Sequence, residues 1–119
     1  MIVGMVGMLG GTVLLPAVTL PLTRQAADGR LALNHTAGIR TRATKSSDEA
    51  WRVGHAAALP VLAPAVPVAV VSVVLAVALQ VLAGGMWGFA VAATGFVAET
   101  LLILRSAWVA DRAARLVGG

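Results

Sequence analysis

The chain has 119 residues and a formal net charge of +4; 59% of its residues are hydrophobic and only 12% are charged. A soluble domain carries about twice that charged fraction, so the composition indicates an integral membrane protein. Cysteine is absent and histidine occurs twice, which excludes disulfides and thiolate chemistry and argues against a zinc site or another metal centre.

The first apolar segment, 2–22, contains about 20 residues without a charge, which as a helix matches the hydrocarbon thickness of a bilayer. No basic residue precedes it, so we expect a retained span and not a cleaved signal peptide. Gly7 and Gly11 form a G-x-x-x-G pair that would let helices approach closely. In a chain so rich in glycine and alanine, chance explains that pair equally well.

The second apolar segment, 53–85, is longer than one perpendicular crossing requires and contains Pro60, Pro64 and Pro67. Ser46 followed by Glu49 fits a capping box, which predicts a helix that begins near Ser47 and lies at the membrane interface. The prolines then bend the chain into the main span, predicted over 61–82.

The third span is predicted over 86–104, after a turn at the glycine pair 84–85. Trp87 and Trp108 would lie about 30 Å apart along a helix, the separation expected for aromatic anchors at opposite membrane interfaces. The tail, 105–119, has an amphipathic pattern, and we expect it to lie on the membrane surface.

The basic residues determine the predicted topology. All nine lie in the loop 24–52 or in the tail, and none lies at the N-terminal end or in the turn 80–87. The positive-inside rule then places the N-terminus outside and the loop and C-terminus in the cytoplasm. Because these residues flank apolar spans without interleaved aromatics, we expect anionic lipid head groups as partner and no nucleic acid. The predicted fold is all-α and transmembrane, with three membrane-spanning helices, a structured cytoplasmic loop and an interfacial helix.

The central loop is polar and suited to binding an anion. Gly38 would supply a tight turn before a short extended run in which Arg40 and Arg42 project to one side. Thr41 and Thr44 would hydrogen-bond their own backbone. Two guanidinium groups beside hydroxyl groups suit a phosphate or a carboxylate.

A second interpretation of this loop requires no specific ligand. In it, the basic residues only fix the topology and rest on anionic head groups. Trp51 would then be an interface anchor, and His55 would be an ordinary amphipathic residue near the head groups.

The loop also resembles a known family. The run Gly38-Ile39-Arg40-Thr41, followed at this spacing by a tryptophan and a histidine and then by a long apolar span, resembles the membrane domain of the SdpI family. The family is named for a bacterial immunity protein against a secreted killing factor. The resemblance covers about 34–115, after a first span in 1–33 and before a short tail, 116–119. The motif positions are Asn34, Gly38, Ile39, Arg40, Thr41, Thr44, Ser47, Trp51 and His55.

The resemblance implies a multi-pass protein of the bacterial plasma membrane, and the residues themselves lead us to expect no enzymatic activity and no cofactor. Such a protein would protect against a secreted peptide toxin or relay the toxin's presence by holding a cytoplasmic repressor at the membrane. The chain departs from the family pattern in having one span before the motif and in having Arg42 where a proline is frequent. The sequence itself shows no Ser/His/Asp arrangement, no carboxylate pair at catalytic spacing and no phosphate-binding glycine loop.

Glu99 lies within the third span, about 9 Å from its cytoplasmic end. An ionised carboxylate at that depth is unfavourable unless it is paired, hydrated or protonated. We expect a partner from the loop, Arg40 first and then Arg52 or His55; the alternative is that Glu99 extends to the head groups. If Glu99 is functional, a proton-coupled small-molecule exporter is an alternative function. The small-residue helix faces would instead suit an accessory subunit of a larger membrane complex, or a homo-oligomer.

Overall fold

The structure, a computed structural model, describes residues 2–118, and these residues form four α-helices and no strand. The helices are α1 (Ile2–Ala27), α2 (Asp48–Leu62), α3 (Ala65–Leu82) and α4 (Trp87–Gly118). Three helical segments have the length and apolar composition to cross a membrane, namely Ile2–Ala27, Asp48–Leu82 and Trp87–Val117. The prediction of an all-helical, multi-pass membrane fold is therefore confirmed.

The start of α2 is determined by a local side-chain cap. Ser47 is the N-cap residue, and its hydroxyl accepts a hydrogen bond from the backbone amide of Ala50 at 3.0 Å. The predicted capping box on Ser46 and Glu49 is wrong by one residue, because the Ser46 hydroxyl donates instead to the carbonyl of Ala43 at 2.6 Å. The prediction of a helix beginning near Ser47 is confirmed.

A short break at Ala63 and Pro64 separates α2 from α3. Pro64 is the N-cap residue of α3, where the missing amide hydrogen does no harm because the first helical amides have no partner within the helix. Helix α3 therefore begins at Ala65, four residues after the predicted start of the main span at residue 61.

The last helix, α4, continues without interruption from Trp87 to Gly118. The sequence contains no proline or glycine between 96 and 117 that would end it. Ser106, Ala110 and Ala114 recur every four residues and are all buried. The prediction of a separate surface-lying tail is therefore wrong, since the tail continues α4 without a break and has one buried face.

The chain divides into two compact units, each made of segments that are distant in sequence. Unit 1 comprises Met1–Ala17 and Pro64–Leu101, and unit 2 comprises Val18–Ala63 and Leu102–Gly119. Unit 1 therefore contains the first part of α1, all of α3 and the N-terminal part of α4, residues 87–101. Unit 2 contains the end of α1, the loop, α2 and the C-terminal end of α4.

Unit 1 packs small side chains between its helices. Its buried cluster is Met5, Ala76 and Ala92. Gly11 lies against the Phe96 ring, where an added Cβ would come within 2.7 Å of Cε2, whereas Gly7 has no neighbour within 4 Å of such a position. The two glycines of the predicted G-x-x-x-G pair thus have different surroundings, and only Gly11 supports close packing inside the unit.

Candidate functional site

The candidate site lies in unit 2, where the loop folds onto one face of α2. The buried residues of α2 are Ala50, Trp51, Gly54, His55, Ala58 and Leu62, which follow helical spacing and share one face. We call the segment 34–47 the motif loop. The predicted placement of Trp51 and His55 on the same helix face is confirmed.

Trp51 is a core residue of this unit. Its side chain is 1% exposed, and its indole nitrogen donates a hydrogen bond to the carbonyl of Leu31 at 2.9 Å. The interpretation of Trp51 as an interface anchor is wrong, because an anchor presents its ring to the lipid boundary and this ring is covered by protein. Trp87 and Trp108, by contrast, are 61% and 55% exposed, as expected for anchors.

His55 joins α2 to the motif loop through both ring nitrogens. Nε2 accepts a hydrogen bond from the backbone amide of Ile39 at 2.8 Å, and Nδ1 lies 2.7 Å from the carbonyl of Trp51. A backbone amide can only donate, so Nε2 carries no proton, and Nδ1 carries the hydrogen that reaches the carbonyl. His55 is therefore a neutral, fully buried residue, and its interpretation as an ordinary head-group residue is wrong.

Gly38 is required where the motif loop crosses the two rings. Its φ angle is +99°, a value that favours glycine. A Cβ at this position would lie 2.8 Å from Cη2 of Trp51 and 3.0 Å from Nε2 of His55. The chain bends at Gly38 as predicted, and glycine is favoured there by the close contact with the rings. The extended run predicted to carry both Arg40 and Arg42 is wrong at Arg42, because residues 42–45 form a turn.

Thr44 holds the next turn of the motif loop together. Its buried hydroxyl accepts from the amide of Thr41 at 2.9 Å and donates to the carbonyl of Ile39 at 2.7 Å. The amide of Thr44 donates in return to the Thr41 hydroxyl at 3.2 Å. The predicted bonding of these two threonines to their own backbone is confirmed.

Asn34 organises the first turn of the motif loop and holds Arg40. Its side-chain oxygen accepts from the amides of Thr36 and Ala37 at 2.9 and 2.7 Å. Its backbone carbonyl accepts from Nε of Arg40 at 3.0 Å. This contact holds one edge of the guanidinium group, and the structure shows no hydrogen bond from its two Nη groups to any described residue.

Four basic side chains in the motif loop and at the start of α2 are exposed: Arg40, Arg42, Lys45 and Arg52. The ion pairs found in the described part of the chain join Arg30 to Asp28 and Arg115 to Asp111, so none of these four is neutralised there. The motif loop therefore combines a buried, hydrogen-bonded inner side with a positively charged outer side.

A cavity of about 310 Å³ lies beside the motif loop within unit 2. Residues 38–41 form one wall, and the end of α1, the end of α2 and the C-terminal part of α4 form the others. Thr23 and Ser106, which line it, are buried hydroxyl residues that the sequence analysis missed. In the sequence, the signal for this buried face is the four-residue spacing of the small residues Ser106, Ala110 and Ala114.

Glu99 does not have the predicted partner. Its side chain is fully buried in unit 1, and neither oxygen accepts a hydrogen bond from any described residue. Arg40 and His55 bond to other groups, as described above. The predicted pairing with Arg40, Arg52 or His55 is wrong for this structure, and so is the alternative of an extended, exposed side chain.

Fold and site together define a class of protein, a helical multi-pass membrane protein with an ordered, basic loop held on a buried Trp–His pair. The SdpI/YfhL protein family matches residues 30–105, more than half of the chain, and the protein belongs to this family. The matched region contains the whole motif loop, α2, α3 and Glu99, as the sequence resemblance predicted. Comparison with curated proteins and with solved structures gives no significant match.

Proposed function

We propose that this protein protects its host against a secreted peptide toxin, or relays the toxin's presence, and that the motif loop is its recognition surface. Membership of the SdpI/YfhL family places it among membrane proteins of the immunity and signalling type. The observation that carries the proposal is that the exposed Arg40 is held through Nε, while its Nη groups form no hydrogen bond with any described residue. The proposal is non-enzymatic: the loop binds and changes no bond.

The order of the motif loop favours recognition over a purely topological role. Fixing the backbone of one residue costs about 1–2 kcal/mol of conformational entropy. A loop that only supplies positive charge does not need a fixed conformation. Here the buried hydrogen bonds of His55, Thr44 and Trp51 hold the conformation before any partner binds. A preordered surface loses less entropy on binding, which increases its affinity.

The exposed side of the loop determines the chemistry of the partner. A guanidinium group held by Nε presents its Nη groups as a fork for a carboxylate or phosphate. Arg42, Lys45 and Arg52 add positive charge nearby. We propose that this surface faces the cytoplasm and binds anionic head groups and the acidic surface of a cytoplasmic repressor.

A survival assay tests the proposal. A sensitive bacterial host expressing the chain is challenged with the secreted peptides encoded beside its gene, and we expect survival with the wild type. Arg40→Lys should reduce protection, because an ammonium group cannot reproduce the two-pronged contact. Arg30→Lys is the matched control, since Arg30 is exposed and only pairs with Asp28. Equal protection by both variants at equal membrane levels would return the loop to a topological role.

The alternative functions predict different results in the same strains. A proton-coupled exporter would show efflux that depends on the pH gradient and is lost in Glu99→Gln. An accessory subunit would purify with one large membrane partner and give no protection on its own. Absence of protection together with either result would replace the immunity proposal.

A further inference from the structure

Glu99 is the only charged side chain in the sequence segments of unit 1. The parts of α1, α3 and α4 that make up this unit contain no other ionisable side chain, so no basic group of the unit is available to pair with it. The carboxyl group is nevertheless fully buried. A charge excluded from solvent and without a partner is unfavourable in protein and in lipid alike.

The hydroxyl groups of this unit do not compensate the carboxyl group. Those of Thr12, Thr94 and Thr100 donate to backbone carbonyls of their own helices at 2.8, 2.8 and 2.9 Å. Each of these three hydroxyls has one hydrogen to donate, and that hydrogen is already used. The fourth hydroxyl of the unit, that of Ser72, makes no hydrogen bond to either Glu99 oxygen. Both Glu99 oxygens consequently lack a donor among the described residues.

The helices pack closely one turn before Glu99, although an apolar groove of about 650 Å³ opens beside Ser72, Gly95 and Ala98; the Glu99 side chain itself is not exposed to it. Gly95 of α4 lies so close to α3 that a Cβ added there would overlap the Ser72 side chain. The same Cβ would lie 3.8 Å from the Thr12 side chain of α1. Three helices therefore meet at this level, and hydration of a carboxylate beside it would require them to separate.

We propose that Glu99 is a proton-binding site, neutral while unit 1 is packed as in this structure and able to release its proton only when the helices admit water or a cation. Protonation removes the charge and converts one acceptor oxygen into a hydrogen-bond donor. A metal ion fits this site less well than a proton does, because the described residues hold no cluster of three or more acidic, histidine or cysteine side chains. Hard cations require about six or more oxygen ligands.

Infrared spectroscopy of the full-length protein in lipid nanodiscs tests this proposal directly. The chain has five acidic residues. The other four, Asp28, Asp48, Glu49 and Asp111, are all at least partly exposed. We therefore expect a protonated-carboxyl band at neutral pH that is absent in Glu99→Gln, present in the control Glu49→Gln, and lost at alkaline pH. Absence of a Glu99-dependent band at neutral pH would overturn the proposal.

Two further measurements use the wild-type chain, so they test the protonation of Glu99 even if Glu99→Gln does not fold. The chain contains only two glutamates, Glu49 and Glu99, so carbon-13 labelling of glutamate in the wild type gives two carboxyl signals. We expect one of these signals to remain that of a protonated acid at neutral pH. Added sodium at constant pH should change neither signal; displacement of the proton by sodium would show a cation site instead. The result does not depend on the motif loop, so it is separate from the survival assay.

Discussion

His55 holds the motif loop in place through hydrogen bonds that require its neutral form. As an acceptor at Nε2 and a donor at Nδ1, it satisfies the Ile39 amide and the Trp51 carbonyl, two groups that are 16 and 4 residues away in sequence. A protonated ring could not accept the Ile39 hydrogen bond, so the conformation of the motif loop requires the neutral form. The role of His55 is to position the loop.

We predict that His55→Ala lowers the free energy of unfolding by about 1–3 kcal/mol, because the Ile39 amide loses its acceptor and a fully buried ring is removed. His35 is exposed, and His35→Ala should change stability by less than about 0.5 kcal/mol. Chemical unfolding of both variants in the same detergent measures the difference. Equal stabilities would show that the His55 hydrogen bonds do not hold the loop.

Gly38 and Gly29 allow backbone strain to be separated from steric overlap. Both have positive φ angles, +99° and +82°, but a Cβ at Gly29 would only meet Cδ of Arg52 at an ordinary 3.6 Å. We predict that Gly29→Ala lowers stability by about 1–2 kcal/mol through strain alone. Gly38→Ala should lower it by about 1–3 kcal/mol more, because overlap with two buried rings is added. Similar losses in thermal unfolding would contradict the packing at Gly38.

At the scale of elements, the end of α4 is held by small residues. Gly54 of α2 lies against this end, where an added Cβ would come within 3.0 Å of the Ala110 carbonyl. Ala114 is next to the same position, at 3.5 Å. A backbone carbonyl cannot move aside as the tip of a flexible side chain can, so this contact tolerates no larger residue on α2.

We predict that Gly54→Leu destabilises the protein by about 1–3 kcal/mol because it forces α2 away from α4. Gly7→Leu is the matched helical control, since no atom lies within 4 Å of a Cβ at Gly7. That change should be neutral or stabilising by up to about 1 kcal/mol, because glycine is unfavourable inside a helix. The test compares the thermal unfolding midpoints of both variants in one detergent. An unchanged midpoint in Gly54→Leu would show that the tail of α4 is not packed against α2 there.

At the scale of the whole molecule, charge separates the two units. All nine lysine and arginine residues lie in unit 2, and the one charged side chain of unit 1 is the buried Glu99. Such a distribution is what insertion by the positive-inside rule produces, because basic segments remain on the cytoplasmic side. We therefore expect unit 2 to lie toward the cytoplasm.

Reporter fusions test this orientation. A reporter that is active only in the cytoplasm should work after Gly119 or within 29–37, segments beside the basic residues, and fail at Gly84 in the turn between α3 and α4. A reporter active only outside the cytoplasm should give the reverse pattern. Cytoplasmic activity at Gly84 would contradict the three-span topology with an external N-terminus.

The sequence by itself determined the features that depend on local chemistry or on periodicity. Hydropathy identified three spans because a bilayer requires about 20 apolar residues for each. The start of α2 near Ser47 and the threonine turn at Thr41 and Thr44 followed from short-range hydrogen bonding. The motif itself was enough to indicate the family.

Only the tertiary structure decided which side of each element is covered. Trp51 and His55 bond to backbone groups 20 and 16 residues away, and Gly54 approaches Ala110 from an even more distant segment. No local pattern contains such contacts, so a tryptophan near a span could as well have been an anchor. For the same reason the unpaired state of Glu99 could not be foreseen: the sequence shows that a carboxyl group lies in a span, but only packing shows that no donor reaches it.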